Sequence, residues 1–117
     1  MFGGIVIHGD GVGGTLGYPT ANIDCPSKDV HFDPGVYAAK ATYQGKVYKA
    51  ALVIMKTPWK VEVHLLDFDG SDIYGQELRF EPIQRVSALE RYDDIEELKE
   101  KIARDILSVQ QVFQQIL

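Results

Sequence analysis

Val36-Tyr-Ala-Ala-Lys-Ala-Thr-Tyr43, Gln44-Gly45, Lys46-Val-Tyr-Lys-Ala-Ala-Leu-Val-Ile-Met55 is a β-rich run broken once, by a two-residue turn signal. It reads as a hairpin, although Gln-Gly is a weaker turn than Asn-Gly. The second arm is apolar on both faces towards its end, which predicts a central strand. Lys56-Thr-Pro58 ends that arm. Trp59–Phe68, with the sequence Trp-Lys-Val-Glu-Val-His-Leu-Leu-Asp-Phe, comes next as a third strong strand. Asp69–Asp72 is a turn, and Ile73-Tyr-Gly75 leads into a fourth strand, Glu77–Val86, which Pro82 either bends or places at an edge. Upstream, Gly4–His8 is β-branched and extended, Ile23-Asp24 is a further short strand, Cys25–Asp29 is turn-like and Asp33-Pro-Gly35 is a strong turn.

The pattern changes after Tyr92. Asp93 is a helix N-cap candidate, and Glu96 three residues on completes a capping-box pattern. Ile95, Leu98, Ile102, Ile106, Val109, Phe113 and Ile116 recur at spacings of three and four, the stripe of an amphipathic helix of about five turns packed on a β core. Glu97/Lys101 and Glu100/Arg104 stand at i,i+4 in the favourable order. On this reading residues from Ser108 onward mainly lengthen the helix, whereas loss of everything from Asp93 onward would expose core. Strands followed by one terminal helix predict a mainly β chain: a small closed antiparallel barrel, about residues 1–92, with a C-terminal helix over about 93–117, forming a single domain.

Composition sets limits. The chain has 117 residues, 45% of them hydrophobic, enough for one core and too few for two domains. A net charge of −5 disfavours a nucleic-acid partner but not a small nucleotide held by local groups. Cys25 is the single cysteine, so neither an internal disulfide nor a cysteine-rich zinc site can form. No apolar run reaches the length of a membrane span, and the N-terminus has no signal-peptide pattern. A cytoplasmic, monomeric protein that binds neither nucleic acid nor membrane is expected.

Gly9-Asp-Gly-Val-Gly-Gly-Thr-Leu-Gly-Tyr-Pro-Thr-Ala-Asn22 places five of the eleven glycines within nine residues. Such a segment suits neither strand nor helix. It lets backbone N–H groups converge on phosphate oxygens, or it is simply a turn. It is neither a P-loop nor a dinucleotide fingerprint. Pro19 fixes the direction of the chain leaving the loop, and Thr20 and Asn22 offer hard oxygen donors of the kind Mg²⁺ accepts. Together they suggest a nucleotide–Mg²⁺ site. Glu62 is the second signal. Val61, Val63 and Leu65 share one strand face, while Glu62 and His64 share the other. A carboxylate in so apolar a strand is either a base that accepts a proton from a hydroxyl nucleophile or a surface residue on a wet face. His64 reads as a structural hydrogen-bonder, the three scattered histidines make no zinc set, and Asp67, Asp69 and Asp72 fit no calcium loop. Ser27 and Cys25 have no partner pattern for nucleophilic catalysis.

The glycine loop running into Leu16-Gly-Tyr-Pro-Thr-Ala-Asn22, then Pro34-Gly-Val-Tyr37, Val61-Glu-Val-His-Leu-Leu-Asp-Phe68, Tyr74-Gly75 and the helix from Ile95 to Asp105 resemble the riboflavin kinase, or flavokinase, family in the right order over nearly the whole chain. The resemblance implies a barrel of about six antiparallel strands and an ATP:riboflavin 5′-phosphotransferase that forms FMN with Mg²⁺. It implies nucleotide contacts from Gly9, Gly11, Gly13, Gly14, Thr15, Gly17, Pro19, Thr20 and Asn22, with Thr20 and Asn22 on the metal. It makes Glu62 the catalytic base, and it sets the flavin against Arg85, Leu89 and Tyr92, between barrel and helix. Three departures stand out. Val12, Gly13 and Gly14 replace the basic residues usual in the loop. Ile54-Met-Lys-Thr-Pro-Trp59 is shortened and lacks an Asn-x-Gly. Bacterial members are usually joined to an N-terminal adenylyltransferase, whereas this sequence begins at the kinase module, so FAD synthesis is not expected from it and it is expected to be either a stand-alone kinase or an excised domain. The rival expectation is a catalytically weak flavin- or nucleotide-binding regulator of the same fold. An oligonucleotide-binding barrel is disfavoured by charge and by the lack of an aromatic-basic strand face.

Overall fold

The computed structural model describes residues 1–7, 20–69 and 72–116. The glycine loop, with candidates Gly9, Gly11, Gly13, Gly14, Thr15, Gly17 and Pro19, and also His8, lie outside the described residues. The strands are β1 (Phe2–Ile7), β2 (Ala21–Asp24), β3 (Gly35–Tyr43), β4 (Lys46–Lys56), β5 (Trp59–Leu65) and β6 (Glu77–Ser87), followed by the helix α1 (Ile95–Gln115). They close into an antiparallel barrel in the order β1-β2-β5-β4-β3-β6.

The predicted hairpin forms. The β3–β4 register runs from Tyr43↔Lys46 to Gly35↔Ile54 around Gln44-Gly45, whose φ values of 49° and 79° are those of a type I′ turn. β4 is central, between β3 and β5. β5 ends three residues before the expected Phe68, because Asp67 takes φ 57° and turns the chain. Pro82 does not place β6 at an edge, since β6 pairs with both β1 and β3; it sits where the β3–β6 register slips between Ala38 and Ala39.

Alternation sends Leu52, Ile54, Val61, Val63, Leu78 and Phe80 inward, where they are almost wholly buried with Phe2, Val6 and Ile23. β1 closes the barrel at Gly3 and Gly4. A Cβ on Gly3 would stand 2.6 Å from the Leu78 carbonyl oxygen, and one on Gly4 would collide with that of Asp24. Side chains are excluded there by the close approach of β6 and β2.

The helix lies on the outside. Ala38 and Ala51 are cross-strand partners and make a small-residue patch on which Val109, Val112 and Phe113 pack, with Leu66 beside them. Fully burying each such side chain is worth about 1.5–3 kcal/mol. The helix is therefore anchored by its C-terminal half, which corrects the expectation that residues from Ser108 onward only lengthen it. Ile95 and Ile116, expected in the stripe, are exposed, while Leu98, Ile102 and Ile106 are half-buried. The N-cap is Asp94, not Asp93; its carboxylate accepts from the Glu96 N–H at 2.9 Å. Lys101 pairs with Asp105 instead of standing beside Glu97 in solvent.

Candidate functional site

Between the outer face of the barrel and the N-terminal half of α1 lies a groove of about 380 Å³. That is room for a small planar molecule. Strand register sets Glu62, Val53 and Val36 in its floor, as the middle of a longer row. Ile7 pairs with Asn22, Asn22 with Glu62, Glu62 with Val53, Val53 with Val36 and Val36 with Ser87. Directly opposed residues share a face, so this row crosses five strand pairs on the outside of the barrel. Val53 and Val36 give it an apolar middle, and Glu62 and Asn22 a polar end. Leu98, Ile102 and Ile106 form the wall on the helix side, with Leu89 nearby.

Glu62 is thus neither core nor free surface. Its neighbours Val61 and Val63 are 1% exposed, and its own side chain, 20% exposed, faces the groove. Lys60 Nζ lies 2.7 Å from its Oε1. Asn22 is buried at 7% exposure, on the adjacent strand. Thr20 lines both this groove and a second cavity of about 570 Å³, which is also bordered by Ala21, Phe68, Ile73 and Tyr74. His64 likewise borders both. Thr20, Asn22 and Glu62, expected as one site, are accordingly close in the fold.

The flavin candidates separate. Leu89 lines the groove. Arg85 does not: its Nε and Nη2 donate to the Pro34 carbonyl at 3.2 and 3.1 Å, tying β6 to the turn before β3. Tyr92 does not line it either; its hydroxyl donates to the Glu90 carboxylate at 2.6 Å, and that bond raises the phenol above its ordinary pKa. Lys60, Asp105 and the helix residues Leu98, Ile102 and Ile106 escaped the sequence reading of the site. Lys60 had a signal, since it stands two residues before Glu62 on the same strand face. The helix residues had none: half-buried groove lining and core packing leave the same stripe.

Among the described residues, no group of three or more His, Cys, Asp and Glu side chains could hold a metal. Thr20 and Asn22 offer only neutral oxygens. Such hard oxygens can hold a divalent cation whose remaining positions are filled by water and phosphate oxygens. They do not suit zinc.

A closed six-stranded barrel with a carboxylate and a hydroxyl lining a helix-covered groove, and an amide paired with that carboxylate on the adjacent strand, has the build of a small-molecule site on a β scaffold. The family model described as riboflavin kinase matches residues 1–113, and the chain belongs to the riboflavin kinase (flavokinase) family. It is 36% identical over 111 residues to the bifunctional riboflavin kinase/FMN adenylyltransferase of Bacillus subtilis, covering 87% of this chain and 35% of that one. The chain thus spans about a third of the length of this curated relative. Among solved structures, a Streptococcus pneumoniae chain titled a macrolide-efflux protein superposes with a TM-score of 0.83 at 26% identity, over 93% of this chain and 38% of that one. Riboflavin kinase from Trypanosoma brucei superposes with a TM-score of 0.72 at 22% identity, over 97% and 78%. The latter is a likeness of fold.

Proposed function

We propose that the chain is a riboflavin kinase domain that transfers the γ-phosphate of ATP to the ribityl 5′-hydroxyl of riboflavin, giving FMN and ADP. The observation that carries this is the row Asn22–Glu62–Val53–Val36 beneath α1, which puts one carboxylate at the head of an apolar groove. The isoalloxazine ring would lie on Val53 and Val36 under Leu98 and Ile102, and the ribityl chain would reach Glu62. The nucleotide would occupy the neighbouring cavity, with Phe68 and Tyr74 beside the base, and its γ-phosphate at Thr20, where the two cavities meet. The glycine loop would supply phosphate contacts.

The chemistry asks little of the protein. The 5′-oxygen forms a bond to the γ-phosphorus, the bond from that phosphorus to the β–γ bridging oxygen breaks, and the hydroxyl proton passes to Glu62. Lys60 holds the Glu62 carboxylate in place. Thr20 and Asn22 would hold Mg²⁺, which when bound neutralises phosphate charge. Among the described residues no helix is long and apolar enough to cross a membrane, and we assign the domain to the cytoplasm as a monomer.

Mixing the protein with riboflavin, ATP and Mg²⁺ tests the reading: FMN and ADP should appear in equal amounts. Riboflavin binding without turnover would favour the rival, a flavin-binding regulator. The absence of basic residues at Val12, Gly13 and Gly14 supports that rival.

A further inference from the structure

Lys101 is the one buried cationic side chain among the described residues, at 7% exposure. Its Nζ donates to the Asp105 carboxylate one turn along α1 and, at 2.9 Å, to Ser87 Oγ at the end of β6. Ser87 Oγ donates in turn to the other Asp105 oxygen at 2.7 Å. Three polar groups thus close a ring between helix and barrel. A buried ion pair is weak evidence for stability, since apolar residues of similar volume often serve as well; its best-attested use is to specify one arrangement.

Position suggests which arrangement. Ser87 ends the row that begins at Ile7 and passes through Asn22 and Glu62. Asp105 lines the groove, and Ser87 and Lys101 do not. Beyond the ring, towards the C-terminus, Val109, Val112 and Phe113 pack the helix on the barrel; Leu98 before the ring, Ile102 within it and Ile106 next to it line the groove. The ring therefore ties down the groove-lining stretch of α1, just ahead of the anchored Val109, Val112 and Phe113.

We propose that Ser87, Lys101 and Asp105 form a positioning lock that sets the height of the N-terminal half of α1 above the groove, and so the fit of the groove to its flavin. This rests on the reading of the groove as the riboflavin site. Ser87→Ala and Lys101→Met test it, because neither residue lines the groove. Riboflavin KM should rise about tenfold in each, since displacements near 1 Å are costly to a fitted site. ATP KM and kcat at saturating riboflavin should stay within about twofold of the parent, whose own nucleotide cavity is not touched. Amide hydrogen exchange should quicken across residues 95–101 and not across 109–113. A lowered Tm with riboflavin KM and the 95–101 exchange unchanged would make the ring a merely structural contact and overturn the lock. Riboflavin failing to quench or bind in the parent would instead overturn the reading beneath it.

Discussion

Glu62 shows how far one residue can be read. Its direction was legible from Val61 and Val63 on either side, which the barrel buries. Its surroundings were not, because they come from β2, β4 and a helix more than thirty residues away in sequence. Glu62→Gln keeps size and one hydrogen-bonding oxygen, so it should fold and bind both substrates while kcat for FMN formation drops roughly 10²-fold or more. Part of that loss is orientation of the hydroxyl, because the transition state is loose. His64→Gln, beside it, should be far milder; a larger loss at His64 would transfer the role. Cys25 offers a pH test. Burial, reinforced by the nearby Asp24 and Asp29 carboxylates, pushes its thiol from 9.0 to about 11. On the order of one native molecule in a thousand then carries a thiolate at pH 8, so iodoacetamide should label Cys25 only after denaturant is added. The raised value also gives the sign for stability. Below pH 9 both states keep the proton and nothing is lost. Between about pH 9 and 11 the unfolded thiol ionises first, removing at most about 2–3 kcal/mol. Urea unfolding at pH 8 and pH 10.5 should show a steeper loss for the parent than for Cys25→Ala.

The hairpin was legible as an element because its signals are local, whereas the helix was legible in type and misread in use. Periodicity marks an apolar stripe but not what each part of it covers, so the exposed Ile95 and the anchoring Val109 looked alike. Lys101 misled for a similar reason: Glu97 and Asp105 both stand four residues from it, Glu97 in the more favourable order, and only Ser87, on another element, turns the pairing to Asp105. The β3–β4 turn permits a direct test at this scale. Gln44 holds φ 49° and Gly45 φ 79°, and an L-residue other than Asn or Asp is strained in the first of these. Gln44→Asn should relieve that strain by about 0.5 kcal/mol and raise Tm by about 2–3 °C. The turn lies outside the groove, so riboflavin KM should not move. Thermal unfolding with a parallel FMN assay checks both, and an unchanged or lower Tm would mean the strain is not there to relieve.

The described residues form two apolar clusters, one inside the barrel around Phe80 and Leu52, the other outside it between Ala38, Ala51 and the helix. They do different work. The inner cluster closes the barrel and fixes the register that sets Asn22 beside Glu62; the outer one holds α1 over the groove. Phe113 belongs to the outer cluster, 4% exposed, with Lys49 Nζ 5.9 Å from its ring centroid, and it lines neither cavity. Phe113→Ala removes a side chain worth about 3–5 kcal/mol when lost from a packed site. Val109 and Val112 alone should then hold the helix poorly, and its N-terminal half should no longer cover the groove. Riboflavin affinity, read by quenching of flavin fluorescence, should fall at least about tenfold. The barrel should survive, because its own cluster is untouched; near-ultraviolet dichroism from Trp59, whose Nε1–H donates to the Cys25 carbonyl at 2.8 Å, should persist. Phe80→Ala, at 0% exposure inside the barrel, should lose both signals together. Should Phe113→Ala bind riboflavin as tightly as the parent, or lose the Trp59 signal along with the flavin, barrel and helix would be one cooperative unit and the division of labour between the clusters would be wrong.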